Sequence, residues 1–177
     1  MNKKILITGP PRCGKSTLIS KLIKYYTNEK DYVIYGFLTP EVRDGEKRIG
    51  FDIIDISSGK RSQLARAGDY KTRHQVGKYN VFIENLDKFI NKNLDLDEES
   101  LDLIIIDEIG KMELLSKRFQ RFIKEIFTSN LRVLATIGLK LNHPLKNFLT
   151  NLPFTEVLTL NRQNSQIIFE KVISTFA

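Results

Sequence analysis

The sequence predicts an α/β fold, three layers in which helices cover both faces of a mainly parallel central sheet. Three observations lead there. Apolar runs of strand length alternate with amphipathic segments of helical period along most of the chain. The run Leu103-Ile104-Ile105-Ile106 is almost purely β-branched, as a strand buried on both faces of a parallel sheet requires. Residues 9–16 read Gly-Pro-Pro-Arg-Cys-Gly-Lys-Ser, a G-x-x-x-x-G-K-S loop set between an apolar run and an amphipathic segment.

Lys4 to Thr8 is the first strand, and Ser16 to Tyr26 the first helix. Val33 to Leu38 follows as the second strand. A hairpin insertion is expected next: Glu41-Val42-Arg43 and Arg48 to Ile56 flank a turn at Gly45, and Ser57-Ser58-Gly59 makes another turn. Lys60 to Lys78 carries Lys60, Arg61, Arg66, Lys71, Arg73 and Lys78 against only Asp69, and reads as a solvated, flexible loop or a substrate lid. Asn80 to Asn91 carries Phe82, Ile83, Leu86, Phe89 and Ile90 at helical spacing. The acidic stretch Asn93 to Ser100 reads as a solvated link before the strand that ends in Asp107-Glu108. Glu113 to Phe127 is helical by Leu115, Phe119, Phe122, Ile123 and Ile126. A strand at Arg132 to Ile137, a short helix beyond His143-Pro144, a strand at Glu156 to Leu160 and a helix with Ile168, Val172 and Phe176 complete the series.

With 177 residues and 41% hydrophobic content, one domain spanning 1–177 is expected, and no linker or repeat divides it. Met1-Asn2-Lys3-Lys4 leads into the first strand without the apolar region of a signal peptide, and no run reaches membrane-spanning length. The lone cysteine, Cys13, fits a reducing compartment. Together these predict a soluble, cytoplasmic protein. Cys13 stands near a helix N-terminus, so alkylation there is expected to block the loop without any natural role for the thiol. A net charge of +7 favours polyanionic partners: nucleoside triphosphates, RNA or DNA. Between Lys60 and Lys78, cationic side chains are interleaved with Tyr70, His74 and Tyr79, a pattern that could stack bases and bind phosphates, although a solvated loop or a substrate lid is the favoured reading over RNA or DNA.

The loop carries the chemistry. Gly9 and Gly14 allow backbone conformations that turn successive N–H groups of Gly9, Pro10, Pro11, Arg12, Cys13, Gly14, Lys15, Ser16 and Thr17, the prolines excepted, toward phosphate oxygens. The following helix adds its N-terminal partial charge. Lys15 would reach the β- and γ-phosphates, and the Ser16 hydroxyl a Mg²⁺ bridging them, in the manner of a Walker A site. Asp107 and Glu108 end a buried strand, as in a Walker B site, at the edge where open α/β sheets bind ligands. Asp107 is placed for the metal shell and Glu108 for orienting or deprotonating water, unless Glu108 is simply a solvated carboxylate.

Gly9 to Ser16, then Gly36-Phe37-Leu38-Thr39-Pro40-Glu41-Val42-Arg43, then Ile104 to Glu113 as Ile-Ile-Ile-Asp-Glu-Ile-Gly-Lys-Met-Glu, occur in the order of one family. With Ala135-Thr136-Ile137, His143-Pro144 and Asn161-Arg162, the chain resembles the THEP-type nucleoside-triphosphatases. That resemblance implies a RecA-like P-loop fold and Mg²⁺-dependent hydrolysis of nucleoside 5′-triphosphates with broad base tolerance. By position it also implies a sensing role for Thr136, which is otherwise an ordinary β-branched strand residue. Arg43, Lys111 and Arg162 become candidates for stabilising the developing charge, Arg43 foremost, each with a structural ion pair as the alternative. One departure stands out: the family usually has glycine where this chain has Arg12, whose side chain is expected to face solvent. Two other classes stay open on the residues, a small-molecule or nucleotide kinase with Lys60 to Lys78 as lid, and an ATP-dependent RNA-binding module using the same segment.

Overall fold

A computed structural model describes residues 1–92 and 100–177; all of the expected acidic link except Ser100 lies outside the described residues. In chain order the strands are β1 (Lys4–Gly9), β2 (Ile34–Leu38), β3 (Glu41–Asp44), β4 (Lys47–Asp55), β5 (Arg61–Ala67), β6 (His74–Val76), β7 (Tyr79–Val81), β8 (Leu103–Ile109), β9 (Val133–Gly138) and β10 (Thr155–Thr159). The helices are α1 (Lys15–Lys30), α2 (Ile83–Lys92), α3 (Lys117–Thr128), α4 (Pro144–Thr150) and α5 (Ser165–Thr175). None of the described helices is long and apolar enough to cross a membrane.

Side by side, the strands run β10-β1-β9-β8-β2-β4-β5-β7-β6, with β3 paired to β4. The first five are parallel, and from β4 onward the pairing is antiparallel. Period-two alternation divides the core into two layers. Ile5, Ile7, Leu103, Ile105 and Leu134 pack with Leu18, Leu22, Ile168 and Val172 of α1 and α5. Leu6, Ile104, Ile106, Val133 and Ala135 face the other way, onto Leu86, Phe119, Ile123 and Leu145 of α2, α3 and α4. A strand apolar at every position is therefore the one that feeds both layers.

Two details seat the parallel strands. Lys4 begins β1 fully buried, and its ammonium donates to the carbonyls of Asn2, Ser129 and Leu131. Gly36 takes φ +133°, and a β-carbon there would stand 1.8 Å from the Ile105 carbonyl oxygen, so only glycine lets β2 approach β8 this closely.

The expected hairpin is present as β3–β4, but the insertion is larger. Lys60 to Lys78, expected as a flexible loop or lid, supplies β5 and β6 of the sheet. Its charges are partly structural: buried Asp52 pairs with Arg66 and, at 3.3 Å, with Arg61. Tyr79 is buried against Phe51 beneath the Arg48 guanidinium, and Tyr70 packs edge-on to Phe82, so these rings are engaged within the fold. Asn80 belongs to β7 rather than to the following helix, which starts at Ile83, because Tyr79–Val81 is captured by pairing with β5 and β6. Glu113–Leu115 is a 3₁₀ turn, and α3 begins only at Lys117, capped by the Ser116 hydroxyl on the Phe119 N–H.

Candidate functional site

The loop from Gly9 to Gly14 links the centre of the sheet to α1. Gly9 has no room for a side chain: a β-carbon would lie 2.6 Å from the Leu160 carbonyl oxygen and 2.7 Å from Cys13 Sγ. Gly14 takes φ +101° and opens the helix. The Cys13 N–H closes the turn on the Pro10 carbonyl at 3.3 Å. Lys15 Nζ lies 3.0 Å from Gly9 O and 3.1 Å from Pro10 O, its ammonium held over the mouth of the loop. Arg12 is exposed, as expected, yet it takes φ +60°, the conformation for which glycine is suited. Cys13 is buried in the α1-side core, which corrects the expectation of an alkylatable thiol: its sulfur fills the space beside Gly9.

Asp107 leaves β8 at the edge toward which β1, β9 and β2 also run. Because β9 separates β1 from β8, the segments that follow or end these strands bring two hydroxyls to the Asp107 carboxylate and a third to its backbone carbonyl. Ser16 Oγ donates to Asp107 Oδ2 at 2.9 Å, across 91 positions of sequence. Thr136 Oγ1 donates to Asp107 Oδ1. From the far side, Thr39 donates to the Asp107 carbonyl through both its N–H, at 2.6 Å, and its hydroxyl, at 2.9 Å. Thr136, expected as a sensor of the γ-phosphate or the attacking water, is fully buried with its hydroxyl donating to Asp107, so here it orients the carboxylate. Thr39 was not singled out as a site residue; its signal was its place in the Thr-Pro-Glu-Val-Arg segment.

Burial pushes the Asp107 carboxyl up from its ordinary range, opposed by the hydroxyls of Thr136 and Ser16 and the charge of Lys15. Glu108 is also pushed up, first by burial and then by the Asp107 charge, with Lys15 opposing. A third carboxyl, Glu113, stands buried in the turn after β8, and burial with the Glu108 charge pushes it up to about 8.

The other candidates are distributed around this cluster. Arg43 is held by its own hairpin, 2.8 Å from Glu41 Oε2 and on the Glu46 carbonyl, while Arg48 takes the second Glu41 oxygen. Cross-strand pairing of β3 with β4 brings these groups together. Arg162 is exposed in a turn that Asn161 and Asn164 tie with hydrogen bonds of 2.8 to 3.0 Å. That turn adjoins the loop, since Leu160 N–H bonds Thr8 O at 2.7 Å. His143 is a cap, its Nδ1 accepting from the Leu145 N–H at 3.1 Å. Lys111 is exposed in the turn after β8.

Among the described residues, no group of three or more His, Cys, Asp and Glu side chains forms a metal cage. The oxygens of Ser16 and Asp107 make a hard donor pair, suited to a divalent cation that draws its remaining ligands from phosphates and water.

An NTPase family model matches residues 4–173. The nucleoside-triphosphatase THEP1 of Thermotoga maritima is 41% identical over 171 residues, 97% of this chain and 94% of that protein. Its counterpart from Methanocaldococcus jannaschii is 37% identical, covering 97% and 95%. Among solved structures, the crystal structure of THEP1 from the hyperthermophile Aquifex aeolicus matches with a TM-score of 0.84 at 32% identity, over 98% of both chains. The solution structure of a human cancer-related nucleoside triphosphatase matches with 0.78 at 29% identity, over 97% and 96%.

Proposed function

The chain belongs to the NTPase family of P-loop hydrolases, and from that premise we propose that it hydrolyses nucleoside 5′-triphosphates, ATP and GTP among them, to diphosphate and phosphate with Mg²⁺. The observation that carries this reading is the convergence of Lys15, Ser16, Asp107 and Glu108 at one edge of the sheet.

In this reading the loop amides and the start of α1 hold the phosphates, and Lys15 exchanges the Gly9 and Pro10 carbonyls for β- and γ-phosphate oxygens. Ser16 and Asp107 would hold the metal, and Thr136 fixes the Asp107 carboxylate that would face it. Magnesium, when bound there, would supply positive charge that offsets the charge of the phosphates. Glu108 accepts the proton of the attacking water, and its raised affinity for protons makes it a better base than a solvated glutamate. Arg162 flanks the nucleotide from the β10 side. Arg43 is a stabiliser of developing charge only if it leaves Glu41 and the Glu46 carbonyl for the substrate, a rearrangement that nucleotide binding would have to drive. A lone cysteine fits a reducing, cytoplasmic setting.

Release of inorganic phosphate from a panel of triphosphates, with Mg²⁺ or with chelator, tests the reading. Phosphate is expected without any acceptor substrate, and not in chelator. Glu108→Gln is expected to lower kcat by about 100-fold or more while nucleotide affinity stays within about threefold. Near-normal turnover by Glu108→Gln would overturn its assignment as the base, and a strict need for an acceptor would replace hydrolysis with a kinase reaction.

A further inference from the structure

The Asp107 carboxylate is oriented by two hydroxyls, but the proposed base beside it calls for an orienting partner too, as activated bases generally do. The turn after β8 supplies one. Its backbone is closed by Leu114 N–H on Gly110 O at 3.0 Å and Ser116 N–H on Glu113 O at 3.1 Å. Within it the Glu113 carboxyl is buried, and the backbone amides of Gly110 and Glu113 partly offset the cost of its charge. Gly110 lies between the two acidic side chains: a β-carbon there would stand 2.8 Å from Glu113 Oε2 and 3.0 Å from Glu108 Oε1. The bare Cα is thus what lets both carboxyls converge on one point.

We propose that Glu113 is a positioning residue for Glu108, its anchored carboxyl setting across Gly110 the direction in which the base presents its oxygens to the attacking water. The proposal rests on the reading of Glu108 as the base. Glu113 is the more deeply buried of the two carboxyls, and burial favours its neutral form. The raised proton affinity of Glu113, to about 8, agrees with that preference. As a neutral acid, Glu113 has an O–H to donate and no charge with which to repel Glu108.

The test is kcat, KM and nucleotide affinity for Glu113→Leu, Glu113→Gln and Gly110→Ala, with Glu108→Gln alongside. Glu113→Leu removes the carboxyl and is expected to lower kcat by about 30-fold with affinity unchanged within about twofold, the size of effect that a misaligned reacting group produces. Glu113→Gln keeps a neutral donor of the same shape and should lose only about threefold. Should Glu113→Leu fail to fold, Gly110→Ala decides: its methyl group pushes the two side chains apart, and kcat should fall about tenfold or more without a change in affinity. Turnover by Glu113→Leu or Gly110→Ala within twofold of wild type overturns the proposal. So does an equal loss by Glu113→Leu and Glu113→Gln, or a kcat loss matched by lost affinity. An active Glu108→Gln enzyme would instead mark the failure of the base assignment, whereas an inactive one beside a fully active Glu113→Leu would sink this proposal alone.

Discussion

Arg12 holds a left-handed conformation, φ +60°, inside the phosphate loop. For a residue with a β-carbon this costs about 1–2 kcal/mol. Glycine relieves that strain but gives back part of it as extra freedom in the unfolded chain, about 0.5–1 kcal/mol. Arg12→Gly is therefore expected to stabilise the protein by up to about 1 kcal/mol in urea denaturation, by the difference of those two effects. Because the side chain is exposed, turnover should change little; a tenfold fall would show that the guanidinium meets the nucleotide after all. Residue chemistry in the loop was legible because the eight contiguous positions Gly9 to Ser16 carry it. The fate of Cys13 was not, since its burial depends on Gly9 and on the core side chains beneath it.

Strand order is what makes these residues a site. With β9 between β1 and β8, Ser16 and Thr136 both reach Asp107, and β2 on the other side delivers Thr39 to the same residue's carbonyl. The fit of β2 against β8 depends on Gly36. Gly36→Ala would place a methyl carbon 1.8 Å from Ile105 O at φ +133°, forcing apart the strands that hold Thr39 and Asp107. A loss of roughly 3 kcal/mol or more is expected in denaturant unfolding, together with lower turnover. Unchanged stability would mean that the two strands can separate without cost. The apolar strands were readable because burial on both faces leaves a continuous β-branched run, as at Leu103–Ile106. Strands β5 and β6 were not, since Arg61–Ala67 and His74–Val76 put much of their surface into solvent and owe their extended form to distant partners in β4 and β7.

For the whole molecule, the acidic cluster links stability to pH. The folded-state affinity of Glu113 for protons lies at about 8, against 4.5 for an ordinary glutamate, so the folded chain binds more protons than the unfolded one between those values. Stability is then highest below about 4.5 as far as this group is concerned, and is lost as pH rises toward about 8. Asp107 and Glu108, both also raised, act in the same direction. The limiting slope for one group is about 1.4 kcal/mol per pH unit. Unfolding in urea across pH 5 to 8, roughly the window where one such proton is released, should show this fall, flattened in Glu113→Gln. An identical slope in the variant would show that Glu113 is ionised in the folded protein.

By itself the sequence determined the α/β alternation, the phosphate loop with its strand and helix, and the acidic pair at the end of a buried strand. Each is written in short contiguous runs whose side-chain period or backbone requirement is local. Tertiary structure alone decided that Thr136 and Thr39 serve Asp107, that Arg43 is held by Glu41, that the basic segment extends the sheet, and that Glu113 stands against Glu108 across a glycine. The strand-borne outcomes turn on which strands lie side by side, fixed by packing among residues far apart in the chain, and the two local ones on backbone turns that bring near neighbours together in a way that side-chain periodicity does not encode.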